Sequence, residues 1–234
     1  MANPSRRDVW KMFDQISPTY DRINRILSFG MDRGWRKEVV KHLPSRPHLQ
    51  LLDLATGTGD QLISLFESGA SIQKASGIDL SSEMLGLAEK KTKNKSYSSQ
   101  IEWIRADAEN LPFVKDSFDA ATFSFGIRNV TDPLVSLKEI QRVLKPDGRC
   151  LILEFSLPPR PLRGLYLFYL RNLLPRIGGL LSKQPAAYRY LNETIETFPS
   201  GASFLALMEQ ASFKQVRACP MAFGGVTLYV GEKK

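Results

Sequence analysis

Ten residues, Leu51-Leu-Asp-Leu-Ala-Thr-Gly-Thr-Gly-Asp60, limit the fold more than any other part of this chain. An apolar run carrying Asp53 breaks into a turn holding Gly57 and Gly59. Residues 60–66 then read as the start of a helix. Strand, glycine turn and helix in direct succession are how a parallel α/β sheet holds a nucleotide-like cofactor. The glycines let backbone approach the ligand, and the helix start offers free N–H groups. A second apolar run, Ala75-Ser-Gly-Ile-Asp79, ends in an acid. An acid at the tip of the second strand suits ribose hydroxyls.

The dinucleotide pattern G-x-G-x-x-G asks for a third glycine, where this chain has Leu62. Asp53 ahead of the turn would repel a phosphate and suit a cation. S-adenosylmethionine carries a ribose, an ammonium and a sulfonium, and no phosphate. The pattern Asp53-x-Ala55-x-Gly57-x-Gly59, with Asp79 at strand two, therefore resembles class I S-adenosylmethionine-dependent methyltransferases. A generic Rossmann-like turn, binding NAD or no ligand, is the competing reading.

A chain of 234 residues is long enough for one domain with a full core, and 43% hydrophobic with 24% charged residues is ordinary for a globular protein. Neither a signal peptide nor a membrane-length apolar run is evident, which points to the cytoplasm. The net charge of +8 favours nucleic acid or an anionic membrane surface as partner, with a merely solvated basic face as the alternative. The one dense basic run, Glu89 to Lys95, reads as an exposed loop. Cys150 and Cys219 read as buried free thiols, and no Cys/His cluster has metal-ligand spacing, so no metal is expected.

The elements alternate as in an α/β fold. Helices with polar joints are expected over 7–13, 21–29 and 34–43. Strands are expected over 50–55, 74–79, 101–106, 119–125, 149–155, 214–219 and 226–231. Between and after them come helices over 60–68, 82–93, 133–144, 187–197 and 200–211, with a turn at Lys145-Pro-Asp-Gly148. Residues 158–181 break this rhythm: they are strongly apolar but punctuated by Arg163, Arg171 and Arg176. A helix over 162–174 would either dock on the sheet or form a lid over an apolar substrate, its arginines reaching an acidic lipid surface.

Four further stretches add specificity. They are Tyr20-Asp-Arg-Ile-Asn24 running on to Trp35, Ser124-Phe-Gly-Ile-Arg-Asn-Val-Thr131, Arg142 to Ser156, and Tyr188 to Pro199. With the glycine turn they resemble, nearly end to end, the UbiE/MenG family, the C-methyltransferases of menaquinone and ubiquinone biosynthesis. This chain departs from the family signatures at Asp32, where His is usual, at Ile23 for Met, at Asp147 for Gly, and at Cys150 for a larger aliphatic residue. The Asp32 change leaves the exact quinone open.

The resemblance implies methyl transfer from S-adenosylmethionine to a ring carbon of a prenylated hydroquinone. It implies a Rossmann-like sheet of seven mostly parallel strands with an antiparallel last strand. Residues 1–47 would form a helical cap and 157–197 a helical lid within a single 1–234 domain. On that footing Gly57, Thr58, Gly59, Asp79, Asp107, Ala108 and Ser124 are the expected cofactor residues. Arg128, as stabiliser of a developing phenolate, and Asn129 are the expected catalytic residues, with Tyr20 and Asp21 lining the substrate entrance. Ordinary turn chemistry for Thr58 and Ser124 remains open. So do a turn cap for Asp107, a loop-holding salt bridge for Arg128 and a helix N-cap for Asp21. The partners implied are the quinol and a peripheral membrane contact, with dimerisation left open. An RNA methyltransferase is disfavoured because Ser124 to Asn129 contains no proline of the Asn-Pro-Pro-Tyr kind. A non-enzymatic scaffold is disfavoured by the intact glycine turn.

Overall fold

The computed structural model of the chain describes residues 6–176 and 184–234. Seven strands form one sheet in the order β3-β2-β1-β4-β5-β7-β6. Strands β1 (Leu49–Leu54), β2 (Ile72–Asp79), β3 (Ile101–Arg105), β4 (Phe118–Ser124) and β5 (Leu144–Phe155) are parallel. Strand β7 (Val226–Glu232) runs antiparallel to both β5 and β6 (Lys214–Met221), between which it is inserted. The order reverses between β1 and β4, and in such sheets the crevice at the carboxyl ends of those strands is the ligand site.

The central strands are buried on both faces, which is why they read as continuous apolar runs. On one face Leu52, Leu54, Phe123 and Ile152 pack with Leu137 and Ile140 of α5 (Pro133–Val143) and with Phe204 and Met208 of α8 (Ala202–Gln210). On the other, Leu51, Ala120 and Leu151 pack with Leu62 and Leu65 of α3 (Asp60–Glu67). A third cluster is built without a core strand. In it Ile16 and Ile23 of α1 (Val9–Leu27) meet Leu170 and Leu174, together with Ala187 and Ile195 of α7 (Pro185–Thr197).

That third cluster decides how 162–174 is used. Helix α6 (Arg160–Phe168) continues through a π turn, Tyr169–Leu173, and Leu170 and Leu174 face α1 and α7. The segment caps other helices and is not laid on the sheet. Residues 177–183 of the expected lid lie outside the described residues.

Three other expectations are corrected. Residues 7–29 are not two helices with a joint, because α1 runs straight through Pro18. The carbonyl that proline cannot bond, that of Asp14, instead accepts from Ser17 Oγ at 2.9 Å, so the acceptor left open by the proline is satisfied. Residues 34–43 divide into α2 (Asp32–Glu38) and a 3-10 turn, Val39–His42. The turn expected at 145–148 is a bulge inside β5: Phe118 pairs Leu144, and Ala120 then pairs Arg149. Asp147 there has φ 61°, a left-handed conformation that glycine takes freely and aspartate tolerates. This accounts for the Asp-for-Gly departure. Cys150 is buried in the sheet, where burial pushes its thiol pKa up, while Cys219 is only half-buried.

Candidate active site

Strand β1 exits into Ala55-Thr-Gly-Thr-Gly59, and three of these residues are left-handed: Ala55 (φ 44°), Gly57 (55°) and Gly59 (79°). A Cβ on Gly59 would stand 2.8 Å from the Trp103 ring, so this position requires glycine twice over. Neighbouring β4 also exits through a left-handed residue, Phe125 (φ 59°), and a Cβ on Gly126 would reach Ala55 Cβ at 2.7 Å. Non-glycine residues held this way cost about 1 kcal/mol each and cluster at functional sites. Here two of them flank the point where the sheet order reverses.

Asp79, at the end of β2, fastens the glycine turn. Its carboxylate accepts from the backbone N–H of Gly57 at 2.8 Å and of Ser81 at 2.9 Å. Burial raises its pKa, and those backbone donors pull it back. The Gly57 N–H is therefore spent on a carboxylate, and a phosphate at this turn would face Asp79 and Asp53 together. The donor set suits a ligand with hydroxyls and a positive charge. Ser81 also receives Met84 N at 3.1 Å as N-cap of α4 (Ser82–Thr92), and its hydroxyl bonds Asp14 of α1. Asp107 lies in the next turn, exposed, accepting from Glu109 N at 2.9 Å, while Ala108 is buried in the core. The turn-cap alternative for Asp107 is thus what its hydrogen bonds describe.

Asp53 is a deeply buried acid. It is 1% exposed and accepts from Thr56 Oγ1 and Thr122 Oγ1, both at 2.6 Å. Burial pushes its pKa up to about 6, against these two bonds and the positive charge of Arg36. Its folded pKa lies above the unfolded one. The folded chain therefore holds the extra proton between about pH 4 and 6, and stability falls as pH rises through that window. At neutral pH the cost is about 3 kcal/mol. A cation beside Asp53 would relieve it. Asp53→Asn is expected to flatten the pH dependence between about pH 4 and 6 and to raise unfolding stability at neutral pH by about 1–3 kcal/mol. Urea titrations at several pH values read this directly. An unchanged slope would remove the buried charge from the account.

A cavity of about 350 Å³ opens at the carboxyl ends of β1 and β4. Its wall includes Asp53, Gly57, Thr58, Ser124, Arg128, Asn129 and Tyr20, while Gly59, Asp79, Asp107, Ala108 and Asp21 are not on it. Ser124 donates to Gln61 Oε1 at 2.9 Å. Arg128 is 5% exposed, and one of its terminal nitrogens bonds Glu154 Oε1 at 2.7 Å and also the Phe125 carbonyl. The guanidinium lies 5.4 Å from the centre of the Phe155 ring. The salt bridge to Glu154 is present, and Arg128 Nε is buried without a partner, as are Asn129 Oδ1, Arg36 Nε and the Tyr190 hydroxyl. All four residues line this cavity. Buried polar atoms are rarely left unpaired, and four on residues around one largely apolar hollow mark it as the candidate binding site. Burial raises the pKa of Tyr20, with Arg128 and Arg36 opposing.

Asp21 sits in mid-helix, so neither the N-cap nor the entrance reading describes it. Its carboxylate accepts from Thr58 Oγ1 at 2.6 Å and pairs with Lys91 at 2.5 Å. Lys91 also holds Asp60 at 2.7 Å and Arg25 approaches Asp60 at 3.6 Å, so acids and bases alternate from α1 to the glycine turn. The run expected to be an exposed loop thus supplies a half-buried lysine from α4. Asp32, the residue in place of His, is 7% exposed on the cavity wall and bound by Arg25 at 2.7 Å and Ser28 at 2.8 Å. Glu154, Arg36, Tyr190 and Lys91 were not singled out by sequence reasoning. Only Glu154 left a signal, as a lone acid closing the apolar run Cys150-Leu-Ile-Leu.

Comparison with known proteins returns one consistent answer. The family model described as the ubiE/COQ5 methyltransferase family matches residues 1–233. The ubiquinone/menaquinone biosynthesis C-methyltransferase UbiE of Geotalea daltonii is 46% identical over 226 residues, covering 96% of both chains. The demethylmenaquinone methyltransferase of Chlorobaculum parvum is 40% identical over 234 residues, covering 98% of this chain and 94% of its own. Among solved structures, a SAM-dependent methyltransferase of Thermotoga maritima aligns at TM-score 0.67 and 22% identity, covering 96% of this chain and 99% of its own. The [4+2]-cyclase SpnF aligns equally well, at TM-score 0.67 and 15% identity over 100% of this chain and 97% of its own. Likeness at that level of identity speaks for the fold alone.

Proposed function

This chain belongs to the ubiE/COQ5 methyltransferase family, and from that membership we propose how its cavity methylates the ring carbon of a prenylated quinol. It is an S-adenosylmethionine-dependent C-methyltransferase of quinone biosynthesis. The acceptor is demethylmenaquinol, a 2-methoxy-6-polyprenyl-benzoquinol, or both. The observation that carries this reading is that Arg128, Asn129, Arg36 and Tyr190, each with an unpartnered buried polar atom, line one largely apolar cavity at the carboxyl ends of β1 and β4.

The cofactor would be held by the turn of Gly57, Thr58 and Gly59, with Asp79 on the ribose. Asp107 and Ala108 would lie beside the base, and Asp53 and Ser124 near the amino-acid end. S-adenosylmethionine supplies an activated methyl group, so the protein needs no covalent nucleophile. Its work is to position the ring, to make it electron-rich and to exclude water. A quinol carbon becomes nucleophilic as the neighbouring phenol loses its proton. Arginine is too weak an acid to act as base at neutral pH, its pKa exceeding about 12. Arg128 and Arg36 instead place fixed positive charge where the phenolate forms, which eases that proton loss. Asn129 and the Tyr20 hydroxyl orient the oxygen. Glu154 acts through Arg128, fixing its guanidinium at the cavity wall by the 2.7 Å bond.

Among the described residues no helix is long and apolar enough to cross a membrane. A cytoplasmic enzyme that visits the inner membrane face for its tailed acceptor fits the reading. The deciding measurement is methyl transfer from labelled S-adenosylmethionine to both reduced acceptors in detergent. Product from either supports the reading and sets the ring preference. No product from either, with cofactor binding verified by calorimetry, overturns the acceptor assignment.

A further inference from the structure

We propose that the rim of the cavity is a membrane-docking face, seated on an anionic lipid bilayer so that a tailed acceptor enters from lipid without crossing water. The proposal rests on the prenylated-quinol reading only for what passes through the rim.

Ten large apolar side chains stand exposed among the described residues, and eight of them lie on three segments: 26–31, 162–173 and 222–224. These segments meet. The Tyr169 hydroxyl donates to the Leu27 carbonyl at 2.7 Å, its ring lies 6.4 Å from that of Phe29, and Tyr166 donates to the Gly225 carbonyl at 3.4 Å. Phe29, Met31, Tyr166, Tyr169 and Phe223 all line the cavity, so the exposed apolar patch borders it.

Two of these residues are held out deliberately. Phe29 is 78% exposed and Phe223 is 86% exposed, and both have left-handed backbones, at φ 52° and 55°. A bulky L-residue in that conformation is an outlier. Here the chain accepts strain at two separate places, each time to hold a phenyl ring in water at the same opening. Strain of this kind marks function when the surroundings enforce it. A contiguous exposed apolar patch marks an interaction surface.

Charge selects the occupant. Residues 157–176 contain four arginines and no aspartate or glutamate. Arg171 pairs with Glu196, whereas Arg160, Arg163 and Arg176 have no carboxylate partner among the described residues. A second copy of the chain meeting this face about a two-fold axis would bring arginines against arginines. An anionic bilayer satisfies both chemistries, taking the phenyl and leucyl side chains below the headgroups and the guanidinium groups among them.

Flotation of the whole protein tests this, without acceptor or cofactor, on vesicles of phosphatidylglycerol with phosphatidylcholine and on phosphatidylcholine alone. The parent is expected to float with the mixed vesicles. Its partitioning should fall at least about tenfold when phosphatidylglycerol is omitted, in Phe29→Ser/Phe223→Ser, and in Arg160→Gln/Arg163→Gln. Val114→Ser, exposed but off the rim, should partition like the parent. If the phenylalanine pair loses its fold by circular dichroism, Leu165→Ser/Phe168→Ser, off the cavity wall, takes its place with the same expected loss. Parental protein that does not float, or flotation indifferent to the rim substitutions in folded protein, overturns the proposal. A dimer that those substitutions dissolve, with no flotation, overturns it in favour of a second copy. None of these failures touches the methyl-transfer reading, which the detergent assay decides separately.

Discussion

Arg128→Ala is expected to lower kcat on a prenylated quinol by about a hundredfold to a thousandfold, the range for removing one preorganised donor from a developing oxyanion. Cofactor affinity should stay within about twofold, because Arg128 touches neither the glycine turn nor Asp79. The same substitution also strips Glu154 of its partner. That carboxylate is fully buried, with a pKa already raised by burial and lowered chiefly by Arg128. Breaking such a pair from one side costs about 3–5 kcal/mol. Lost stability could therefore pass for lost catalysis, and Arg128→Ala/Glu154→Leu separates the two. Removing both charges should recover most of the stability and none of the rate. Single-turnover kinetics beside urea titrations measure both. A double variant that regains turnover would reduce Arg128 to a structural brace.

Asp79→Ala is expected to weaken cofactor binding by at least about a hundredfold. Two backbone N–H groups, from Gly57 and Ser81, converge on this carboxylate. Hydrogen bonds to a charged group contribute about 1.5–3 kcal/mol each. Their loss frees the glycine turn and the start of α4 together, and on the proposed assignment it also removes a ribose acceptor. Asp79→Asn keeps the shape and one acceptor oxygen, so about a tenfold loss is expected. Calorimetric titration with S-adenosylmethionine gives both values, and unchanged affinity in the alanine variant would end Asp79's assignment. Loss in the alanine but not the asparagine variant would assign the role to shape.

The sheet was legible because buried parallel strands and glycine turns write themselves into short windows of sequence. Asp53, Gly57, Gly59 and Asp79 all fell at strand ends where local pattern alone placed them. What stayed hidden depends on distance along the chain or on local rescue. Pro18 reads as a break, and only the Ser17 hydroxyl on the Asp14 carbonyl lets the helix pass. Arg128 announced itself, but its partner lies 26 residues away on another strand. Lys91 sat in a charge run that looked like solvent-facing loop, yet it folds inward to Asp21 and Asp60. Phe29 and Phe223 invert the ordinary rule that large apolar residues point inward, and only the folded backbone shows them turned out.

Helix α1 is fastened differently on its two sides. Toward α7 and the π turn after α6 it is joined by hydrocarbon, through Ile16 and Ile23. Toward the glycine turn it is joined by Asp14, Asp21 and Arg25, all polar bonds that water can replace. The helix is thus a door hung on grease and latched on charge. Parting the polar side exchanges protein partners for water, whereas parting the hydrocarbon side would expose apolar surface. Such a latch loosens as ionic strength rises. Dissolved salt, by this construction, weakens the charged hold of α1 on the start of α3 while leaving its hydrocarbon contacts in place.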